Sequence, residues 1–236
     1  MAGALIRGIA VVVPVWNEEA LLERCLHGIH RACAWLEERS ATPVRTAVVL
    51  ALDSCVDGSE AIAARSGVQV IQLGLRNVGL ARAAGVRAAL ELLSDIDPEE
   101  IWLASTDADS FVPPDWLLAQ QQLADSGWDV ALGRVQPDLA DLPVELHRTP
   151  FASAASSGEP VYGANLGVRI SAYLTAGGFT AAREHEDQRL VGALRRTGAR
   201  VTASDSTPVL TSGRVLGRTP GGYAGFLRQA LSAATA

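Results

Sequence analysis

Five short apolar runs, each separated from the next by a stretch of helical periodicity, constrain this chain more than any other feature. Ile9–Val15 is a continuous, largely β-branched run that reaches Pro14, the pattern of a parallel strand covered on both faces. Leu21, Leu22, Cys25, Leu26, Ile29, Cys33 and Leu36 then recur at helical spacing. They predict a helix capped at Asn17 and running to about Glu38, with Glu18 and Glu19 in a first turn where the helix dipole favours acids. Thr46–Leu52 is a second strand with Asp53 at its carboxyl end, and Asp57-Gly58-Ser59 opens a short helix to about Ser66. Val68–Leu73 is a third strand, followed by an Ala-rich helix over Val78–Leu93 that Asp97-Pro98 ends. Ile101–Ala104 is a fourth strand, Pro113-Pro114-Asp115 opens a helix to about Ser126, and Asp129–Val135 is a fifth strand. This alternation predicts an α/β fold with a mostly parallel central sheet flanked by helices.

The 236 residues suit one domain with one core. A net charge of −6 and an acidic isoelectric point near 5.2 argue against non-specific nucleic-acid binding. No apolar run approaches the roughly 20 residues of a transmembrane span, and residues 1–9 lack the apolar core and cleavage site of a signal peptide. Three cysteines, Cys25, Cys33 and Cys55, form no paired or zinc-binding spacing, which suits reduced thiols in a cytoplasmic protein. Oligomeric state leaves no signature in the sequence.

Beyond the fifth strand the pattern fades. Residues 136–160 read as an irregular connection with one helix around Val144–Ser153. Order returns with a strand over Tyr162–Arg169, a short helix over Ser171–Ala176 stopped by Gly177-Gly178, and an amphipathic helix over Glu186–Thr197 with Gly198 as its C′ residue. Arg200–Ala203 and Val209–Thr211 are two short strands, and a final helix spans Tyr223–Ala233. Gly163 and Gly167 suggest close backbone approach. The chain therefore divides into a front half of about residues 1–135 and a back half of about residues 136–236 within one domain.

The fourth strand runs into Thr106-Asp107-Ala108-Asp109. Alternation in an extended chain points Asp107 and Asp109 to the same side. Two converging carboxylates repel unless a cation lies between them, and oxygen-only ligands suit Mg²⁺ or Mn²⁺ carrying substrate phosphates. The plainer alternative is an Asp-rich turn before a helix capped by Ser110 or Asp115. Asn17 and Glu18, Asp53, and Asp107 and Asp109 all stand where strands end. In open α/β sheets that rim is where ligands bind.

Read together, these segments resemble the family 2 glycosyltransferases. Val12-Val13-Pro14-Val15-Trp16-Asn17-Glu18-Glu19 is similar to the family's opening Pro-X-aromatic-Asn-Glu segment, and Leu52-Asp53-Ser54-Cys55-Val56-Asp57-Gly58-Ser59 to its Asp-Asp-Gly-Ser-Thr-Asp-Gly-Thr segment, with Leu52 in place of the first Asp. Arg76-Asn77-Val78-Gly79-Leu80-Ala81-Arg82-Ala83-Ala84-Gly85 resembles the Asn-X-Gly-X-X-X-Ala-Arg-Asn-X-Gly region. Thr106-Asp107-Ala108-Asp109-Ser110 resembles the metal-binding segment. Gly177-Gly178-Phe179 followed by His185-Glu186-Asp187 resembles the acceptor-side segment. The Gln-X-X-Arg-Trp segment of processive synthases is missing.

The resemblance implies a single GT-A-type domain, with the front half binding nucleotide and the back half facing the acceptor. It implies a soluble, inverting transfer of a sugar from a nucleotide-diphosphate donor, UDP-sugar by default, to a small-molecule, lipid or glycan hydroxyl. Asp109, with Asp107, would hold the Mn²⁺ or Mg²⁺; Asp107 is alternatively an acceptor for the ribose. Pro14, Trp16 and Glu18 would line the nucleoside pocket, Asp53 would accept from the base, and Arg82 would meet the diphosphate or pair with Asp53 or Asp107. Asp187 would be the general base, with Glu186 as the alternative. His185, Glu186 and Asn165 are candidate donor-sugar or acceptor contacts, with His185 alternatively a third metal ligand; His185 and Asn165 each have a plain structural alternative. The basic, glycine-bearing segment of Gly213, Arg214, Arg218, Gly221 and Gly222 would close over the diphosphate. Two other functions compete: a catalytically silent nucleotide-sugar-binding module, and a sugar-1-phosphate nucleotidyltransferase, which would want a Gly-rich loop where Pro14-Val15-Trp16-Asn17 stands.

Overall fold

The computed structural model describes residues 4–147, 161–217 and 222–234. Strand β1 (Gly8–Val15) is the hub of the sheet. It pairs in parallel with β2 (Arg45–Asp53) on one side and with β4 (Ile101–Ser105) on the other. Strand β3 (Gln69–Leu73) continues the parallel order beyond β2. On the other flank lie β7 (Leu166–Arg169), β6 (Val130–Pro137), β8 (Val201–Thr211) and the two-residue β5 (Ser110–Phe111). The strand order is β3-β2-β1-β4-β7-β6-β8-β5. β7 runs antiparallel to both β4 and β6, and β5 antiparallel to β8, so six of the eight strands share one direction. One sheet therefore runs through both halves of the chain, and it puts the ends of β1, β2, β4 and β8 on one rim.

Alternation along the buried strands feeds two cores. Ile9, Val11, Val13 and Val15 pack with Leu50, Leu52 and Trp102 under helices α1 (Leu22–Arg39) and α4 (Trp116–Asp125). Ala10, Val12, Val49 and Leu103 pack on the opposite face against α3 (Val78–Leu92), α5 (Ile170–Thr175) and α6 (Glu186–Arg196). The short α2 (Ser59–Ala64) follows β2, and α7 (Tyr223–Ala234) is held by Leu227 against Leu142 and Leu146. Cys25 is buried in the first core with Cys33 packed against it, which is the packing role their helical spacing predicts. No helix among the described residues is long and apolar enough to cross a membrane.

Several sequence expectations shift. Asn17 is not the cap of α1: it sits at φ 56 in a turn, and its Oδ1 accepts from the Val56 N–H at 2.8 Å. Glu18 and Glu19 therefore precede the helix, whose first-turn acid is Glu23. Tyr162–Arg169 is not one strand; Gly163–Asn165 forms a 3-10 turn before β7. Arg200–Ala203 and Val209–Thr211 are parts of a single strand, because β8 pairs with β6 on both sides of a register shift between Gly133 and Val135. Only Val144–Leu146 of the helix expected around Val144–Ser153 is described, as a 3-10 turn; Ser153 lies outside the described residues.

The edge away from the cleft is tied by a cation that composition and periodicity do not flag. Arg169, 2% exposed, donates to the carbonyls of Ala124 (2.6 Å), Ala4 (3.2 Å) and Glu99, and its Nε lies 3.6 Å from Asp129. Arg169→Met is therefore expected to lower unfolding free energy by roughly 3 kcal/mol, because three carbonyls and a partly buried carboxylate lose their donor. Urea denaturation checks this, and an unchanged midpoint would refute it.

Candidate functional site

Loops leaving the common rim enclose a cleft of about 840 Å³, lined among others by Pro14, Trp16, Glu18, Asp53, Arg82, Asp107, Asp109, His185, Glu186 and Asp187. Among the described residues expected at the site, Asn165 and Gly213 are absent from this lining. Asn165 has structural partners instead. Its Oδ1 accepts from the Trp116 indole N–H at 2.8 Å, and its Nδ2 donates to the carbonyls of Arg134 and Thr207 at 2.9 and 3.0 Å. Asn165, 3% exposed, is a structural tie between α4, β6 and β8 rather than a ligand contact. This satisfies the polar groups of a buried crossing point.

Asp53 ends β2, and its carboxylate collects the backbone of the loop entering α3. Oδ1 accepts from the N–H groups of Leu75 (2.7 Å) and Arg76 (2.9 Å), and Oδ2 from that of Asn77 (2.7 Å). Burial raises the carboxyl, but these backbone donors outweigh it and hold Asp53 below its ordinary value. Oδ2, with a single such donor, keeps a lone pair for a further hydrogen bond. The turn before Gly58 is not capped by Asp53: Glu19 accepts from the Gly58 N–H at 2.7 Å and Asp57 from the Ser59 N–H at 3.0 Å.

Arg82 on α3 is the buried cation of the site, 2% exposed. Its Nε donates to Glu186 Oε1 at 2.9 Å, one terminal nitrogen to Ser105 Oγ at 2.6 Å and the Thr106 carbonyl at 3.3 Å, and the other to Asp107 Oδ1 at 2.5 Å. Desolvation works against its charge, yet Asp107 and Glu186 more than restore it and raise its pKa. Arg82 thus joins α3, the end of β4 and the start of α6. Of the three partners the sequence left open, it meets Asp107 and not Asp53. Gly163 is necessary beside it, since a Cβ there would stand 2.5 Å from the guanidinium; a Cβ on Gly167 would strike Gln120 and Trp102.

Asp109 lies two residues beyond Asp107 and faces a second arginine. Arg214, three residues past β8, donates to both oxygens of Glu18 (2.6 and 2.8 Å) and to Asp109 Oδ2 (2.8 Å). Burial first, and then the Asp107 charge, push the Asp109 carboxyl up to about 7, against the opposing pull of Arg214. The Asp-rich turn is therefore not a helix cap: Ser110 is in β5 and bonds Thr211 at 3.0 Å, and the Asp115 side chain makes no cap hydrogen bond. Nor is Glu18 a helix-terminal acid; it is buried and forked by Arg214. The sequence distance between Glu18 and Arg214 hides this contact. The available signal was topological, a basic residue just beyond the carboxyl end of a strand.

Asp187 enters the cleft from the first turn of α6. Its Oδ2 accepts from the Gly163 N–H and its Oδ1 from the Gln188 N–H, both at 2.7 Å. Burial, then the neighbouring Glu186 charge, raise its pKa. Glu186 itself is buried against Arg82, and His185 caps the helix in a left-handed conformation, φ 59, with its side chain exposed. The front strands and α6 thus present Asp53, Asp107, Asp109 and Asp187 to one space. Among the described residues no group of three or more His, Cys, Asp or Glu is arranged to hold a metal. Asp107 and Asp109 nevertheless offer oxygen-only ligands at a point whose charge is undercompensated, which fits a hard divalent ion completed by water and phosphate oxygens.

The chain is similar in structure to a mannosyltransferase from Pyrobaculum calidifontis solved in complex with GDP-Man and Mn²⁺, at TM-score 0.67 and 18% identity over 96% of this chain and 61% of that one. It is also similar to residues 1–349 of S. aureus TarS in complex with UDP, at TM-score 0.62 and 16% identity over 88% of this chain and 61% of that one. A third likeness is to M. tuberculosis glucosyl-3-phosphoglycerate synthase, at TM-score 0.52 and 17% identity over 97% and 79% of the two chains. The chain spans about three fifths of the first two, and the shared architecture is the GT-A fold. No curated protein sequence matches it. The sequence pattern of Glycosyl transferase family 2 matches residues 10–170, more than half of the chain and all of the rim from Pro14 to Asp109, so this protein belongs to glycosyl transferase family 2.

Proposed function

We propose that the protein is an inverting glycosyltransferase that moves a sugar from a nucleotide-diphosphate donor to a hydroxyl acceptor. The observation that carries this reading is the single cleft that Asp53, Asp109 and Asp187 border from three separate elements. In this reading Pro14 and Trp16 flank the nucleoside, and Asp53 accepts from a base N–H through its less occupied oxygen. Glu18 reaches the ribose once Arg214 leaves it. UDP is the default nucleotide; the Pyrobaculum relative was solved with GDP-Man, so a GDP-sugar is the first alternative. Asp109 and Asp107 would hold Mn²⁺ or Mg²⁺, and such an ion, when bound, neutralises the diphosphate leaving group.

The protein residues then divide the work. Arg82, itself buried, holds Asp107 in place through a charge-assisted hydrogen bond. Arg214, which joins Glu18 to Asp109 without donor, swings with the segment after Gly213 toward the diphosphate. Arg218 and Gly221 of that segment lie outside the described residues. Asp187 takes the proton of the acceptor hydroxyl as the oxygen attacks the anomeric carbon in line with the departing diphosphate. Glu186 is the poorer candidate because it is buried and its Oε1 is taken by Arg82 Nε at 2.9 Å. Burial and the Glu186 charge raise the Asp187 pKa, which strengthens it as a base.

Four outcomes follow. Asp187→Asn is expected to lower transfer by about 10²–10⁴-fold, while nucleotide sugar with Mn²⁺ still raises the melting temperature; a silent binding module would show no turnover even in wild type. For wild type, kcat should fall as pH drops through the Asp187 pKa, with a midpoint above that of an ordinary carboxylate. Because the Asp109 carboxyl is pushed up to about 7, Mn²⁺ must displace its proton at lower pH. Titration of metal alone should therefore show affinity rising by up to about tenfold per unit from pH 5 to 7 and levelling above; a flat profile would remove Asp109 as a ligand. Saturating donor with Mn²⁺ should protect the chain between Gly213 and Gly222 from limited proteolysis, and unchanged cleavage would count against closure there.

A further inference from the structure

The cleft has a second wall of different chemistry. Tyr162, Tyr223 and Phe226 line it with Val135 and Val161, and none of these side chains is charged. The Tyr162 and Tyr223 rings meet edge to face, with centroids 6.0 Å apart and planes at 85°. The Tyr223 and Phe226 centroids are 5.9 Å apart at 32°. Aromatic residues make up only 5% of the chain, so three in contact at one wall mark a local feature. They are not a closed core: Phe226 is 40% exposed, and neither phenol hydroxyl has a hydrogen-bond partner among the described residues. A buried tyrosine normally pairs its hydroxyl and covers its face.

Open aromatic faces beside free hydroxyl groups are complementary to one kind of ligand. A pyranose ring has apolar C–H faces and a hydroxylated edge. An alkyl chain would desolvate both phenols and return no hydrogen bond. An anionic group would find no cation among these five residues; Arg82 is engaged by Asp107 and Glu186, and Arg214, once released, is taken by the donor's diphosphate in the reading above. Arg76 and Arg183, also in the lining, belong to the loops beside Asp53 and before α6. The wall also adjoins the reacting group: Tyr162 immediately precedes Gly163, whose N–H holds Asp187 Oδ2 at 2.7 Å.

We propose that the Tyr162–Tyr223–Phe226 wall is the acceptor subsite, and that the acceptor is a neutral pyranoside whose ring lies on these aromatic faces. Two of its hydroxyls bond the phenols and a third faces Asp187. Its chemistry rests on the transferase reading given above. The acceptor oxygen forms the new bond to the anomeric carbon and its proton passes to Asp187. The bond to the donor's diphosphate breaks, and the leaving oxygen keeps the electron pair.

The test is saturation-transfer NMR on the full chain with Mn²⁺ and UDP or GDP, using three probes: methyl pyranosides, a phosphorylated hydroxy acid and a short n-alkanol. Transfer to the ring C–H protons of at least one methyl pyranoside is expected, with little to the other two. Tyr162→Phe and Tyr223→Phe, which keep the rings, should each weaken that pyranoside about fivefold, the loss of one hydrogen bond. Phe226→Ser, with an unchanged circular-dichroism spectrum as its folding control, should weaken it at least as much. Absence of transfer to every pyranoside, preference for the acid or the alkanol, or wild-type affinity in all three variants would overturn the proposal. Donor binding is read separately by thermal shift with UDP- and GDP-sugars. No shift with any donor would overturn the transferase reading while the pyranoside titration still decides this one.

Discussion

Everything at the rim depends on how negative charge is compensated there. Glu18, Asp53, Asp107, Asp109, Glu186 and Asp187 all line one cleft, and like charges in such a space raise one another's pKa unless they are paired. Three devices answer this, and each sets a different degree of freedom. Asp53 is quieted by backbone N–H groups, a fixed solution that also shapes the loop into α3. Asp107 and Glu186 share a fully buried arginine with four side-chain or carbonyl partners. Asp109 and Glu18 share Arg214, whose side chain keeps 28% of its exposure and whose backbone lies beyond the last strand.

That difference between the two arginines separates rigid parts from movable ones. Removing Arg82 would leave the buried Glu186 and the half-buried Asp107 unpaired, so its geometry is a condition of folding as well as of binding. Arg214 makes bonds of similar length but is itself 28% exposed, so another cation can reach Glu18 and Asp109 in its place. A ligand bringing its own cation to Asp109 competes with Arg214 directly, and the freed guanidinium is then available to a phosphate. Under the proposed transfer, one fixed and one exchangeable cation would suit a site that opens for a donor and closes behind it.

The strand and helix order was legible because apolar runs of β1, β2 and β4 are buried on both faces and need no tertiary context to be recognised. The rim was legible for the same reason: Asp53, Asp107 and Asp109 stand within a few residues of strand ends, so topology alone brings them together. Local rules failed where tertiary partners took over a side chain. Asn17 has the composition of a cap but bonds Val56 across a loop. Asn165 reads as a polar residue in a strand near a site, yet Trp116 and two carbonyls account for it. β8 reads as two strands because Asp205 and Ser206 interrupt its apolar pattern, and only pairing with β6 joins them. The contacts of Arg214 and Arg169 span too much sequence for any periodicity to carry.

The placement of Asp187 shows how the fold separates two adjacent acids into different roles. Successive residues at the start of a helix point about 100° apart, so Glu186 turns inward to Arg82 while Asp187 turns to the cleft. Arg82 fixes the register of that turn, and the Gly163 N–H fixes the carboxylate from the other side. The glycine that donates this N–H is also the residue whose missing Cβ admits the guanidinium. One backbone position thus sets the Arg82 ion pair, the Asp187 carboxylate and the neighbouring Tyr162 together. Any side chain at residue 163 would move all three, which couples the charge compensation of the donor side to the aromatic wall on the other.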